Sequence, residues 1–314
     1  MTGVTAETFE AVGNLNASVL RKIKLPGLKS HPKIFIKRDD EIHPLISGNK
    51  WRKLKYNLIE ASRLGKNALL TFGGAYSNHI HATAAAGKLF GIKTIGIIRG
   101  EEYDPLNPTL SAAKKMGMEP HYLPRKIYRD RNDPDFQNEL AEKFGAPYVV
   151  PEGGTNKFAL KGVAELVDEI DIKYTHVCTA VGSGGTLAGV VSGLKGKAKA
   201  VGFPALKHGE YLSEIISALL KESDCGEFNN WELQTDFHQG GFAKVTDELI
   251  GFIMEFKRLN SIQLDYIYNG KMFFALRKLI EEKYFSERDV IIALHTGGLQ
   301  GNKGIERRYR IPNK

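Results

Sequence analysis

Four short stretches hold side chains able to do covalent or ionic chemistry. In Ser47-Gly48-Asn49-Lys50-Trp51-Arg52-Lys53-Leu54 a glycine loop leads into a helical pattern that opens with Lys50. A lysine amine forms Schiff bases with carbonyls, but only when deprotonated. Burial and a neighbouring cation such as Arg52 or Lys53 would lower its pKa. Taken alone, a lysine before a helix is nearly always a solvated surface residue. The second stretch is Gly73-Gly74-Ala75-Tyr76-Ser77-Asn78-His79. Ser77 and Asn78 are natural N-caps there. The same helix start can hold a carboxylate on its N–H groups, and a side-chain amide can orient a ring bearing a hydroxyl.

The third stretch is Gly182-Ser183-Gly184-Gly185-Thr186. Glycines let the backbone approach a phosphate, and a following helix favours its negative charge. No Gly-Lys-Ser/Thr follows, so it is not a Walker loop. The next strand ends without the acidic residue a dinucleotide fingerprint needs. A single-phosphate cradle with the Ser183 and Thr186 hydroxyls fits best, and a plain turn is the alternative. The fourth stretch is His295-Thr296-Gly297-Gly298, where His295 reads equally as a hydrogen-bonded core histidine and Thr296 as a cap. His79 and His81 point to different sides of a helix and are not read as metal ligands.

The first three stretches sit between an apolar run and a helical one, and the fourth follows the last apolar run. Apolar runs at 33–38, 68–72, 93–100, 120–124, 147–151, 175–181, 198–203 and 289–295 read as strands. Helical spacing recurs at 51–64, 78–90, 110–116, 136–144, 160–170, 185–194, 211–221, 247–259 and 272–284. Buried strands alternating with helices predict α/β architecture: twisted, parallel or mostly parallel sheets covered on both faces. In such sheets ligands sit beyond the carboxyl ends of strands, which is where the four stretches lie.

The chain has 314 residues, 42% apolar and 25% charged. At about 150 residues per domain this predicts two domains and excludes wholesale disorder or a coiled coil. No apolar run approaches the roughly 20 residues of a membrane span, and the N-terminus reads as no secretory signal. Cys178 and Cys225 have no partners at metal-ligand spacing. A cytoplasmic location is therefore expected. The net charge of +8 is dispersed, and basic stretches such as Arg125 to Arg131 and the tail Arg307 to Lys314 lack stacking aromatics. Nucleic acid is not an expected partner.

A lysine for an aldehyde, a phosphate cradle and polar groups for a ring together suggest pyridoxal 5′-phosphate (PLP). The sequence resembles the 1-aminocyclopropane-1-carboxylate (ACC) deaminase/D-cysteine desulfhydrase family, of tryptophan synthase β-like fold (PLP fold type II), over nearly its whole length. The likeness rests on KRDD (37–40), SGNKWRKL (47–54), Ser77-Asn78-His79, Pro151-Glu152-Gly153-Gly154-Thr155-Asn156, GSGGT (182–186), Tyr268-Asn269-Gly270-Lys271 and HTGG (295–298). It implies that Lys50 bears the Schiff base and that Asn78 lies beside the cofactor's 3′-oxygen. Gly182, Ser183, Gly184, Gly185 and Thr186 would hold the phosphate. Ser77 and the following N–H groups, with His79, would take the carboxylate of a small amino-acid substrate, and Tyr268 would approach ring and substrate. The resemblance also implies a homodimer and a small domain at 53–160, inserted into a large PLP-binding domain formed by 1–52 and 161–314.

Two departures stand out. Deaminases of this family carry glutamate after the tyrosine of Tyr-x-Gly-Lys, where this chain has Asn269. An amide stabilises a protonated pyridine far less than a carboxylate does. Asn269 or Thr296 therefore points to a neutral ring nitrogen, which suits α,β-elimination better than cyclopropane opening. Phe242 stands where the family has tyrosine, and Tyr76 before Ser77 is unusual. The leading expectation is elimination from D-cysteine or a related D-amino acid to pyruvate, ammonia and sulfide. ACC deamination is the runner-up, and a non-catalytic PLP-binding protein is the alternative from another class.

Overall fold

The computed structural model describes residues 3–102, 106–223, 226 and 228–311; Cys225 and Lys314 lie outside the described residues. The chain opens with α1 (Ala6–Glu10), β1 (Leu20–Lys22), β2 (Lys33–Lys37) and α2 (Asn49–Arg63). Then come β3 (Ala68–Gly74), α3 (Asn78–Phe90), β4 (Lys93–Arg99), α4 (Pro108–Lys115), β5 (Met118–Leu123), α5 (Pro134–Lys143) and β6 (Tyr148–Val150). The second half runs through α6 (Lys157–Asp168), β7 (His176–Val181), α7 (Gly185–Leu194), β8 (Lys199–Pro204), α8 (Leu212–Glu222) and β9 (Trp231–Leu233). It ends with α9 (Asp247–Asn260), α10 (Asn269–Glu281), β10 (Val290–Leu294) and α11 (Asn302–Tyr309).

The strands form two sheets, ordered β1-β2-β10-β7-β8-β9 and β5-β4-β3-β6. Every pairing is parallel except that of β1 with β2. Helices cover both faces, so central strands are apolar along their length rather than alternating: Leu69, Leu70 and Phe72 of β3, and Ile291, Ile292 and Ala293 of β10, are fully buried. Each such Leu, Ile or Phe contributes about 1.5–3 kcal/mol on leaving water. α7 is buried nearly all round and packs against α6. A Cβ on Gly189 would lie 2.6 Å from that of Val163, so only glycine permits this approach. No helix among the described residues is long and apolar enough to cross a membrane.

A buried ionic network fixes the start of α2. Arg52 grips Asp39 through Nε at 2.6 Å and Nη2 at 2.8 Å, and reaches Glu169 at 2.7 Å. Glu169 also accepts from Lys37 of β2 at 2.7 Å, and Asp39 from the Ser18 hydroxyl at 2.6 Å. This ties the helix that opens on Asn49 and Lys50 to a strand of the first sheet and to α6.

Candidate active site

The loops after β10 and β7 emerge side by side, because those strands are parallel neighbours. The loop before α2 packs directly on the one after β10. Gly48 adopts φ +62°, and a Cβ there would sit 2.0 Å from the Thr296 carbonyl oxygen. The Asn49 N–H donates to that same carbonyl at 3.3 Å. Lys50 therefore enters the site from a rigid seat. It is partly buried, and burial pushes its amine down to about 8 from the usual 10.5. Arg52 is not the neighbouring cation that sequence reasoning allowed, because it faces Asp39 and Glu169. Burial, with the charge of Lys50 beside it, holds the Lys53 amine well below its usual value.

Sequence reasoning named Lys53 only as a neighbour of Lys50 and gave it no place in the phosphate cradle. Its Nζ donates to the Gly153 carbonyl at 3.2 Å and the Thr155 hydroxyl at 3.1 Å. The Thr155 hydroxyl lies 2.6 Å from that of Ser183. A Cβ on Gly185 would come within 3.0 Å of Lys53 Nζ, so this amine faces the first turn of α7. Asn49 Nδ2 donates to Thr186 Oγ1 at 2.7 Å, closing the other side of the same loop. Gly184 adopts φ +84°, a conformation that aims backbone N–H groups at one point. The spacing from Lys50 to Lys53 was the available signal, since positions three apart share a helix face.

Neither Lys50 nor Lys53 has a carboxylate partner among the described residues. A buried amine without an acid is costly unless an anion arrives. Two such amines beside a glycine loop at a helix N-terminus fit the phosphate and aldehyde of one small cofactor.

Beside the Thr296–Gly297 turn lies Asn269, fully buried at the head of α10. Its Nδ2 donates to Asp265 at 2.5 Å and to the Gly297 carbonyl at 2.9 Å. Its Oδ1 accepts from the Thr296 N–H at 3.0 Å and the Thr296 hydroxyl at 3.1 Å. The amide thus has no donor or acceptor left over. Asp265 also takes the N–H groups of Ile267, Tyr268 and Asn269, capping α10.

Ser77 caps α3, its Oγ accepting from the N–H groups of His79 and Ile80 at 3.2 and 3.3 Å. His79 is buried, with Nε2 2.7 Å from Thr71 Oγ1. The Thr71 hydroxyl spends its proton on the Val150 carbonyl at 2.8 Å, so His79 Nε2 must donate to it. Nδ1 is then a bare acceptor without a partner. Burial, with Lys50 and Lys53 nearby, holds this imidazole well below its usual pKa and neutral.

Tyr268 lies over Gly182, where a Cβ would meet its ring at 3.1 Å. Burial, with Asp265 beside it, pushes its phenol up, so it stays a donor. Phe242 is half-exposed and meets the Tyr268 ring edge-on at 6.1 Å. Its loop is pinned by Lys271, which donates to the carbonyls of His238 and Gly241 at 2.8 and 2.6 Å. Tyr76 is exposed and rests against Gly304 of α11. His295 is a core residue, fully buried with Nε2 2.7 Å from the Gln263 carbonyl oxygen.

The sequence pattern of the family described as pyridoxal-phosphate dependent enzymes matches residues 18–297. A bifunctional D-cysteine desulfhydrase/1-aminocyclopropane-1-carboxylate deaminase of Arabidopsis thaliana is 30% identical, covering 90% of this chain and 76% of its own. A Pyrococcus horikoshii protein with the provisional name 1-aminocyclopropane-1-carboxylate deaminase is 32% identical over 85% of each chain. The crystal structure of an ACC deaminase homologue superposes with a TM-score of 0.77 at 28% identity, over 94% of this chain and 95% of that one. The chain therefore belongs to the pyridoxal-phosphate dependent enzymes of tryptophan synthase β-like fold, alongside the ACC deaminases and D-cysteine desulfhydrases.

Proposed function

We propose that the protein is a PLP-dependent lyase that eliminates sulfide from D-cysteine or a related small D-amino acid, leaving pyruvate and ammonia. The observation that carries this reading is the saturated amide of Asn269, at the position where deaminases of the family carry glutamate. The nearest carboxylate, Asp265, is committed to three backbone N–H groups and to that amide. The Thr296 hydroxyl is then the group able to turn and donate to a neutral pyridine nitrogen.

When bound, PLP supplies an electron sink for charge that develops at the substrate Cα. Lys50, its amine brought down to about 8 by burial, would form the covalent link to its aldehyde and, once displaced by the substrate amine, take the Cα proton. Gly182 to Thr186 and Lys53 would hold the phosphate. The N–H groups of His79 and Ile80 would exchange Ser77 Oγ for the substrate carboxylate, favoured by the α3 dipole. The protonated Tyr268 phenol would donate to the substrate, with Phe242 and Tyr76 outside it. A neutral ring suffices when Cβ–S cleavage discharges the electron pair, whereas cyclopropane opening has no such leaving group.

The division into a small domain at 53–160 and a large one from 1–52 and 161–314 belongs to the proposal. It is supported by the second sheet, which draws only on residues 68–150. A cytoplasmic homodimer goes with the family reading, and sedimentation would test the assembly. The deciding experiment is kcat/KM of the PLP-loaded protein on D-cysteine and on ACC. D-Cysteine is expected to be preferred, and Asn269→Glu to shift the ratio toward ACC. A preference for ACC in the parent would sink the substrate assignment. A bound cofactor with no turnover of either would favour a non-catalytic binding protein.

A further inference from the structure

We propose that Gln300 is a positioning residue that decides which end of the Asn78 amide faces the cofactor. The inference rests on the PLP reading of the site. Gln300 lies in the turn Leu299–Gly301 after the last strand, in a segment that crosses to the loop carrying Asn78. Its Nε2 donates to Asn78 Oδ1 at 2.5 Å. Its Oε1 accepts from the Thr109 hydroxyl at 2.9 Å, at the buried first turn of α4.

An asparagine amide has nearly the same shape whichever way it is turned, so its own packing does not choose between donor and acceptor. Gln300 chooses. With its oxygen on the Thr109 hydroxyl and its N–H toward Asn78, Gln300 acts on Asn78 as a donor. Asn78 must answer with its oxygen, and its Nδ2 is left on the other side, against Gly298. A Cβ on Gly298 would sit 2.5 Å from that nitrogen. The free end of Asn78 is thus a donor. A donor is what the phenolic oxygen of the PLP ring needs while it carries negative charge, and an acceptor there would repel it.

The same segment holds the loop a second time. Tyr76, two residues before Asn78, lies on Gly304, where a Cβ would be 2.8 Å from its ring. Residues 300 and 304 therefore keep the 73–78 loop in place from the large-sheet side, and Gln300 alone supplies the polarity.

The test uses the PLP-loaded protein. In Gln300→Glu, residue 300 can only accept, so Asn78 turns its Nδ2 toward it and presents oxygen to the ring. Borohydride should still label Lys50. The visible band should lose intensity to a near-ultraviolet one as the ring oxygen takes up a proton. kcat should fall about ten-fold or more, with a smaller change in KM, as for one hydrogen bond to a charged group. Gln300→Met removes the bias without reversing it and should move the spectrum the same way by less; it decides the matter if the glutamate variant does not fold. A parent protein without a visible band would overturn the PLP reading itself. A parent with that band, and variants that keep its spectrum from neutral to alkaline pH, would overturn the role of Gln300.

Discussion

The first two turns of α2 carry four basic side chains with two opposite fates. Arg52 and Lys55 are fully provided with acids: Asp39 and Glu169 for one, Glu10 and Glu165 for the other. The pKa values of both are raised despite burial. Lys50 and Lys53, on the adjacent face, have no acid among the described residues, and burial drives both down. One helix thus holds a completed electrostatic structure and an incomplete one. The completed side positions the helix, and the incomplete side suits an anionic, carbonyl-bearing ligand. Charge left unpaired in a well-packed interior marks the place where something else is meant to bind.

That contrast breaks most sharply at Lys50. Lys50→Ala should reduce turnover by on the order of a thousand-fold or more, since nucleophile and base are lost together. Borohydride should then fix no cofactor on the chain, and a label appearing on Lys53 or another lysine would reassign the site.

On the paired face the loss should be structural instead. Asp39→Ala leaves Arg52 buried with half its partners, which costs about 3–5 kcal/mol of stability. Urea unfolding of the cofactor-free protein would read it. Unchanged stability would mean the network is ornamental.

Lys53→Met should separate the two roles further. It should weaken PLP binding by roughly ten- to a hundred-fold, the worth of one charge-assisted hydrogen bond. It should leave the cofactor-free protein as stable or more so, because a buried unpaired amine has gone. Loss of stability without loss of affinity would contradict the comparison.

The smallest effect is the pH dependence of cofactor capture. Attack on the aldehyde needs the neutral amine, and burial places that of Lys50 at about 8. Below that value the capture rate should rise about ten-fold per pH unit, and above it level off. A rise continuing to about 10.5 would show Lys50 to be solvated.

Much of this fold was legible because the chain punctuates it. α3 runs from Asn78 to Phe90 as expected, since Ser77 caps it and Gly91 closes it in the left-handed region. β1 and β9 were missed: each is three residues long, and neither is buried enough to show a pattern. α10 starts at Asn269 rather than Met272, because its cap is Asp265, four residues back instead of adjacent. Among the candidate site residues, Lys50 and the glycine loops stood out by type and spacing. The acids of Arg52, the hydroxyl facing Lys53 and the Gln300–Asn78 bond were hidden, because each joins segments far apart in the chain.

Strand order also dictates when the enzyme can be completed during synthesis. β2 pairs with β10, made more than 250 residues later, and the seat of Lys50 leans on the Thr296 carbonyl. The second sheet, by contrast, needs nothing beyond residue 150. The nascent chain can therefore fold its middle while Lys50 waits, unplaced, for nearly the last strand to leave the ribosome. Pulse-labelled hydrogen exchange during refolding should show the amides of β3 and β4 protected before those of β2, and the reverse order would refute this schedule.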